Sequence, residues 1–267
     1  RKIYVQRYPE RKGPLGMAFS DYQTALVTGA SGGIGSAITE RMSREGLEVH
    51  AVGRNKDKLD QLAKRTGCIP HAVDISDTGA MEKAFEGLEI DVLVNNAGVD
   101  HKGSVASLSA GQIDEQLDVN LGAVLQVLRV FLPGMMARDR GHIVNISSIA
   151  GLYEFPSNAV YHATKAGVHA LTNQLRLDVF GKRIRVTEIC PARVATEIFG
   201  KVHGDPEKAR RDFVEGYELL QPEDIADAIA TAVAAPSRTN ISFMEIIPTF
   251  QVLGGLEFAR YTEKKDN

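Results

Sequence analysis

The chain has 267 residues, 43% of them apolar and 24% charged, with a formal net charge of −3. That length can bury one large α/β core, and the weak net charge excludes a global basic field for nucleic acid or acidic membranes. Continuous apolar runs fall short of the ~20 residues of a membrane span, no secretory signal is legible, and Cys68 and Cys190 show neither disulfide nor metal spacing. A reducing, cytoplasmic setting is the expectation.

A β-prone run at 24–28 leads into Gly29-Ala30-Ser31-Gly32-Gly33-Ile34-Gly35, and an amphipathic helix is expected at 36–45. Strand, glycine turn and helix form the context of a dinucleotide-binding turn. Glycine lets backbone approach a pyrophosphate, and the helix N-terminus offers N–H groups to it. An ordinary tight turn reads the same way locally. The second strand, at 49–52, ends in Gly53-Arg54-Asn55. An acid at that point suits the ribose hydroxyls of NAD, whereas an arginine suits the 2′-phosphate of NADP. NADP(H) is therefore expected ahead of NAD(H), with Ser31 and Asn55 adding hydrogen bonds. The alternative is a surface arginine opening the helix at 56–65. A third strand, at 69–73, closes with Asp74-Ile75. Asp74 either accepts from an adenine amino group or, like Ser76, caps the helix at 78–86.

The fourth strand, at 91–94, ends in Asn95-Asn96-Ala97-Gly98, which suits close passage of backbone past a ligand or a simple turn. A long helix is expected at 113–132, bearing Leu117, Leu121, Val124, Leu125 and Leu128 and interrupted by Asn120. A buried asparagine needs partners, so Asn120 is a structural bridge or a proton-relay member. The fifth strand, at 141–146, delivers Ser147 and Ser148. The helix at 158–180 carries Tyr161 and Lys165 on one face, and its Ala159, Ala163, Ala166, Gly167 and Ala170 form a small-residue surface. A free tyrosine, with a pKa of about 10, is a poor acid or base at neutral pH. A neighbouring ammonium favours the phenolate, so Lys165 is expected to lower the Tyr161 pKa while Ser148 holds a substrate oxygen.

A sixth strand, at 185–189, precedes Cys190-Pro191-Ala192-Arg193-Val194-Ala195-Thr196. The charged stretch 197–221 is expected to be a mobile lid, followed by a helix at 222–235 and a last strand at 242–247. Strands alternating with helices imply a parallel sheet covered on both faces: a single α/β, doubly wound Rossmann-type domain. It is expected at 21–254, with an N-terminal extension at 1–20 and a C-terminal tail at 255–267. No H-E-x-x-H, C-x-x-C or G-x-S-x-G pattern occurs, so neither a metal site nor a hydrolase is expected.

Thr28-Gly29-x-x-x-Gly33-Ile34-Gly35, Asn95-Asn96-Ala97-Gly98, Asn120, Ser148 and Tyr161-x-x-x-Lys165 occur in order. Together, over roughly residues 22–250, they resemble the short-chain dehydrogenase/reductase family. The resemblance implies a seven-stranded parallel sheet. It makes Tyr161 the general acid/base, has Ser148 position the substrate oxygen, and has Lys165 bind the nicotinamide ribose and depress the tyrosine pKa. Asn120 would hold a relay water. The cofactor would meet Gly29, Ser31, Gly33, Ile34 and Gly35 at the turn. Further along it would meet Arg54, Asn55, Asp74 and Ile75, then Asn96, Ala97 and Gly98, and finally Pro191, Val194 and Thr196. A homo-oligomer, tetramer ahead of dimer, built partly on the Tyr161 helix, is implied too.

Leu132-Pro133-Gly134-Met135-Met136, Leu175-Arg176-x-Asp178, Arg185-Val186-Thr187-Glu188-Ile189 and Met244-Glu245-Ile246-Ile247-Pro248 resemble bacterial NADP-dependent 3-hydroxy acid (serine and 3-hydroxypropionate) dehydrogenases, and sulfoacetaldehyde-type reductases share the same surroundings. Two departures stand out. Pro191-Ala192 replaces the usual Pro-Gly, and Arg193 stands where an apolar residue is usual. Arg193 would bind a carboxylate or sulfonate, or else pair with Glu154, Glu197 or another lid acid. Tyr153 and Phe155 are expected in the same cleft. The resulting expectation is an NADP(H)-dependent interconversion of a small alcohol and its carbonyl. The alternatives are a 3-oxoacyl carrier-protein reductase using Arg193, Lys201 and the basic cluster at 208–211, an oxidoreductase for neutral steroid-like alcohols, and a catalytically silent NADP sensor.

Overall fold

The computed structural model describes residues 19–156, 158–196 and 217–252. Most of the expected lid, together with Lys201, the cluster at 208–211 and the tail, lies outside the described residues. Seven strands form one sheet: β1 (Thr24–Thr28), β2 (Glu48–Gly53), β3 (Ile69–Ala72), β4 (Val92–Asn95), β5 (Gly141–Ile146), β6 (Ile184–Pro191) and β7 (Phe243–Ile246). Their order is β3-β2-β1-β4-β5-β6-β7, every pairing is parallel, and all seven expected strands are present within two residues of their expected ends. A parallel sheet must be covered on both faces, which is why β4, β5 and β6 are buried along their whole length.

Alternation along β1 divides the core. Ala25 and Val27 enter one cluster and Leu26 the other. The first cluster is closed by α1 (Gly33–Arg44), α2 (Lys56–Thr66) and a helix introduced below, through Ile38, Met42, Leu59 and Leu62. On the opposite face lie α3 (Thr78–Ala84), α4 (Ala110–Leu117), α5 (Ala123–Arg138) and α6 (Ala159–Asp178). The last helix among the described residues, α7 (Pro222–Ala234), brings Ile225, Ile229 and Val233 to the first cluster. Arg185, buried in β6, donates to Ala232 O at 3.0 Å, Val233 O at 2.7 Å and Ala235 O at 2.9 Å. It thereby satisfies carbonyls that the end of α7 leaves open.

Expectations change at two helices. The helix at α3 is capped by Asp77, which accepts from Ala80 N at 2.9 Å, and not by Asp74 or Ser76. The helix expected at 113–132 runs from Ala110 to Arg138, through Pro133, and is broken into α4 and α5 by a π-helical turn, Asp118–Gly122, centred on Asn120. A π-turn widens the helix by one residue and frees it from a single apolar stripe. Accordingly Val124 and Leu128 are buried whereas Leu117 and Leu125 are exposed. By length and composition alone this 29-residue helix would be apolar enough to cross a membrane. In the fold its Val127, Phe131 and Met135 pack into the second core cluster.

A buried polar chain fixes α6 on the sheet. Asn95 Nδ2 donates to Asn145 Oδ1 at 2.8 Å, Asn145 Nδ2 to Thr172 Oγ1 at 2.9 Å, and Thr172 Oγ1 to Val168 O at 2.7 Å. Buried bonds of this kind specify one register of helix against strand. The chain's neighbours turn in opposite directions from β1 and β4, and a crevice opens at their carboxyl ends.

Candidate active site

Gly29 ends β1 with φ +68°, a left-handed conformation that favours glycine. A methyl there would lie 2.8 Å from Ala97 Cα, and one at Gly35 would lie 2.2 Å from Gly29 O. Asn96 holds this close approach: its Nδ2 donates to Thr28 O at 2.9 Å, while Thr28 Oγ1 accepts from Asn96 N at 3.0 Å and Ala97 N at 3.1 Å. The Asn96 side chain therefore braces the turn.

A cavity of about 490 Å³ runs along the turn. It takes in Gly29, Ser31, Gly33, Ile34 and Gly35, then Arg54, Asn55, Asp74 and Ile75, and then Asn96, Ala97, Gly98 and Thr196. Asn55 Oδ1 is committed as the cap of α2, accepting from Lys58 N at 2.9 Å. Arg54 Nη1 lies 3.7 Å from Glu115 Oε1. Asp74 Oδ1 accepts from Ser76 N at 3.0 Å and Ser76 Oγ at 2.7 Å. Partial burial pushes its carboxyl up, but these bonds and Arg54 outweigh it and hold the pKa below the ordinary value. The crevice fits a dinucleotide: bare backbone for two phosphates, the start of α1 behind it, and cations and a carboxylate at one end.

A second cavity, of about 480 Å³, adjoins the first and shares Ile34, Asn96, Gly98, Asp100 and Thr196 with it. Here Ser148, Tyr161 and Lys165 converge with Pro191, Arg193 and Val194. The end of β5 clamps α6 in place: Lys165 Nζ donates to Ile146 O at 3.0 Å and Ser147 Oγ to Lys165 O at 3.0 Å. Ser148 Oγ accepts from Ala150 N at 3.1 Å, and its hydroxyl stands close enough to that of Tyr161 to act on its pKa.

The electrostatics correct one expectation. The Tyr161 pKa is raised, not lowered. Desolvation of its hydroxyl raises it, Asp100 adds to the rise, and the Ser148 hydrogen bond offsets part of it. Lys165 Nζ lies 5.7 Å from the Tyr161 ring centroid and is itself desolvated, which lowers its pKa to about 8. Burial thus brings acid and cation toward their neutral forms.

Asn120 is bonded throughout its side chain. Nδ2 donates to Val99 O at 2.9 Å and Thr164 Oγ1 at 3.2 Å, and Oδ1 accepts from Val99 N at 2.8 Å. This is the structural bridge, joining the β4 loop to α6. Tyr153 does not line the cavity, because its hydroxyl donates to Glu245 Oε2 at 3.4 Å; Phe155 does line it. Ala192 keeps a negative φ and donates its N–H to Ile246 O at 2.8 Å, so no glycine is needed there. The Arg193 guanidinium carbon stands 5.9 Å from the Tyr217 ring centroid. Lys58 in the crevice, and Asp100, Lys102, Asn158 and Gln251 in the second cavity, were not singled out by the sequence. Asp100 and Lys102 follow the Asn95–Gly98 turn closely enough to have been suspected. Gln251 carries no such signal.

Residues 23–207 match the family model described as short chain dehydrogenase, and the chain belongs to that family of oxidoreductases. Among its relatives is the short-chain type dehydrogenase/reductase y4eK of Sinorhizobium fredii, 40% identical over 90% of this chain and 96% of the relative. The NADP-dependent 3-hydroxy acid dehydrogenase YdfG of Escherichia coli is 35% identical over 88% of this chain and 98% of the relative. A solved structure of the closed form of serine dehydrogenase complexed with NADP+ superposes with a TM-score of 0.84 at 34% identity, covering 90% of this chain and all of that one.

Proposed function

We propose that this protein is an NADP(H)-dependent oxidoreductase that interconverts a small alcohol bearing an anionic group, a hydroxy acid or hydroxy sulfonate, with its aldehyde or ketone. The observation that carries this reading is the convergence of Ser148, Tyr161, Lys165 and Arg193 on one cavity that continues into the glycine-paved crevice. The names of its relatives support the same cofactor and substrate class.

In this reading Gly29, Gly33, Gly35 and the first turn of α1 hold the pyrophosphate. Arg54, Ser31 and Lys58 meet the 2′-phosphate, and Asp74 and Ile75 the adenine. Lys165 meets the nicotinamide ribose, with Pro191, Val194 and Thr196 at the nicotinamide end. When bound, the cofactor gives or takes the hydride. Ser148 holds the reacting oxygen by its hydroxyl, and Tyr161 exchanges a proton with that oxygen. A desolvated phenol stays protonated at neutral pH, and a developing alkoxide is the stronger base, so the proton passes to it. The Lys165 ammonium, still charged at neutral pH, stabilises the phenolate left behind. Asn120, its side chain spent on Val99 and Thr164, positions the β4 loop against α6.

A panel of small 3-hydroxy acids, hydroxy sulfonates and neutral alcohols, each assayed with NADP and NAD, tests the reading. Turnover of acids or sulfonates with NADP is expected. Turnover confined to neutral alcohols, or to NAD, overturns it. We further propose a homo-oligomer, a tetramer before a dimer, supported by the exposed Ala163, Ala166 and Ala170 on α6. A cytoplasmic setting accords with the free, buried Cys68 and Cys190.

A further inference from the structure

We propose that Lys102 is the second cation of an anion-recognition subsite shared with Arg193, which grips the carboxylate or sulfonate of a short substrate whose hydroxyl lies on Ser148 and Tyr161. The inference rests on the hydroxy acid reading above and names the residue that completes it.

Topology makes the pairing. Ser148 follows β5, and β5 lies between β4 and β6 in the sheet. Lys102 comes from the loop after β4 and Arg193 from the loop after β6. The two cations therefore straddle the residue that holds the reacting oxygen, and all three line one cavity with Tyr161. Among the described residues Lys102, Lys165 and Arg193 line that cavity together with Asp100, so an anion entering it meets cations from two loops.

Both loops are held before any substrate arrives. The β4 loop is tied by Val99 to Asn120, by His101 N to Gln116 Oε1 at 3.3 Å, by the His101 ring to Glu115 at 2.7 Å, and by a bridge from Gly103 to Asn158 at the start of α6. The β6 loop is tied by Ala192 N to Ile246 O and by Ala195 N to Leu220 O, each at 2.8 Å. Fixed loops set a fixed distance from cations to reacting oxygen, which selects chain length as well as charge. Partial burial lowers the Lys102 pKa, and the nearby Arg193 charge adds to the effect although Asp100 opposes it. An anion between the two cations screens that repulsion.

The test is calorimetric titration of propionate, ethanesulfonate and propionamide into the NADP+-saturated protein, wild type and variants. Wild type is expected to bind one or both anions more tightly than the neutral amide, and the stronger of the two identifies the anion. Lys102→Gln is expected to weaken the anion by about tenfold, a loss typical of one charge-assisted hydrogen bond. Lys102→Arg is expected to keep affinity within about threefold of wild type, because it keeps the charge. In turnover, Lys102→Gln is expected to raise KM for an anionic substrate with little change in kcat. Equal anion affinity in wild type and Lys102→Gln overturns the proposal, as does an equal loss for propionamide. Charge-dependent binding without turnover of any hydroxy acid or sulfonate leaves the subsite standing and removes the parent reading.

Discussion

The crevice beside Gly29 is paved with backbone, whereas the cavity beside Tyr161 is lined with side chains drawn from three strand ends and α6. In the crevice a single methyl at Gly35 collides with Gly29 O at 2.2 Å, so shape is set by what is missing. In the cavity Arg193, Lys102, Asp100 and Tyr161 project functional groups, so chemistry is set by what is present. The first kind of surface suits a ligand with invariant phosphates. The second can be retuned, one residue at a time, to a new substrate. The same desolvation acts on both halves but matters more in the cavity, where it raises the Tyr161 pKa and lowers that of Lys165.

The sharpest way to break the comparison is Tyr161→Phe. If the cavity alone holds the proton chemistry, kcat falls by about a thousandfold while cofactor titration is unaltered. Substantial turnover in this variant would refute the assignment.

A smaller effect is expected from Lys165, and its sign follows from the pKa. In the fold Lys165 loses its proton near pH 8, against 10.5 for the free side chain, so the unfolded chain binds more protons between those values. The Lys165 contribution to stability therefore rises with pH across that window. The displacement from 10.5 down to about 8 corresponds to roughly 3 kcal/mol. Lys165→Met should lack this rise. Urea denaturation of both proteins from pH 7.5 to about 10 checks it, and parallel curves would show that the cavity does not strain its lysine.

The smallest change concerns the crevice. Arg54→Ser should reduce the preference for NADP over NAD by about tenfold, the size of one charge-assisted contact. The kcat/KM values for the two cofactors decide it. An unchanged ratio would leave Arg54 only its contact with Glu115.

Much of the crevice was legible because its determinants are local. A glycine turn between a β-prone run and a helix names its own geometry, and Arg54 sits at a strand end that the apolar pattern already marks. The parallel sheet was legible for a similar reason, since apolar runs alternate with helical periods. Asn120 was half legible. An asparagine in an apolar helix announces a need for partners, but only the fold shows that Val99 and Thr164 consume its side chain and that a π-turn accommodates it. Tyr153 misled because proximity to Tyr161 in sequence does not fix direction: Glu245, from β7, draws its hydroxyl away.

By itself the sequence determined the order of strands and helices, the backbone-lined turn and the spacing that puts Tyr161 and Lys165 on one helical face. These rest on short-range sterics and periodicity. The tertiary structure alone decided which distant charges meet and how dry they are. Lys102 and Arg193 are 91 positions apart in the chain and face one cavity only because β4 and β6 flank β5. The Tyr161 pKa moves opposite to what its neighbour in the helix would dictate, because desolvation depends on everything packed around the hydroxyl and not on the residue four places along.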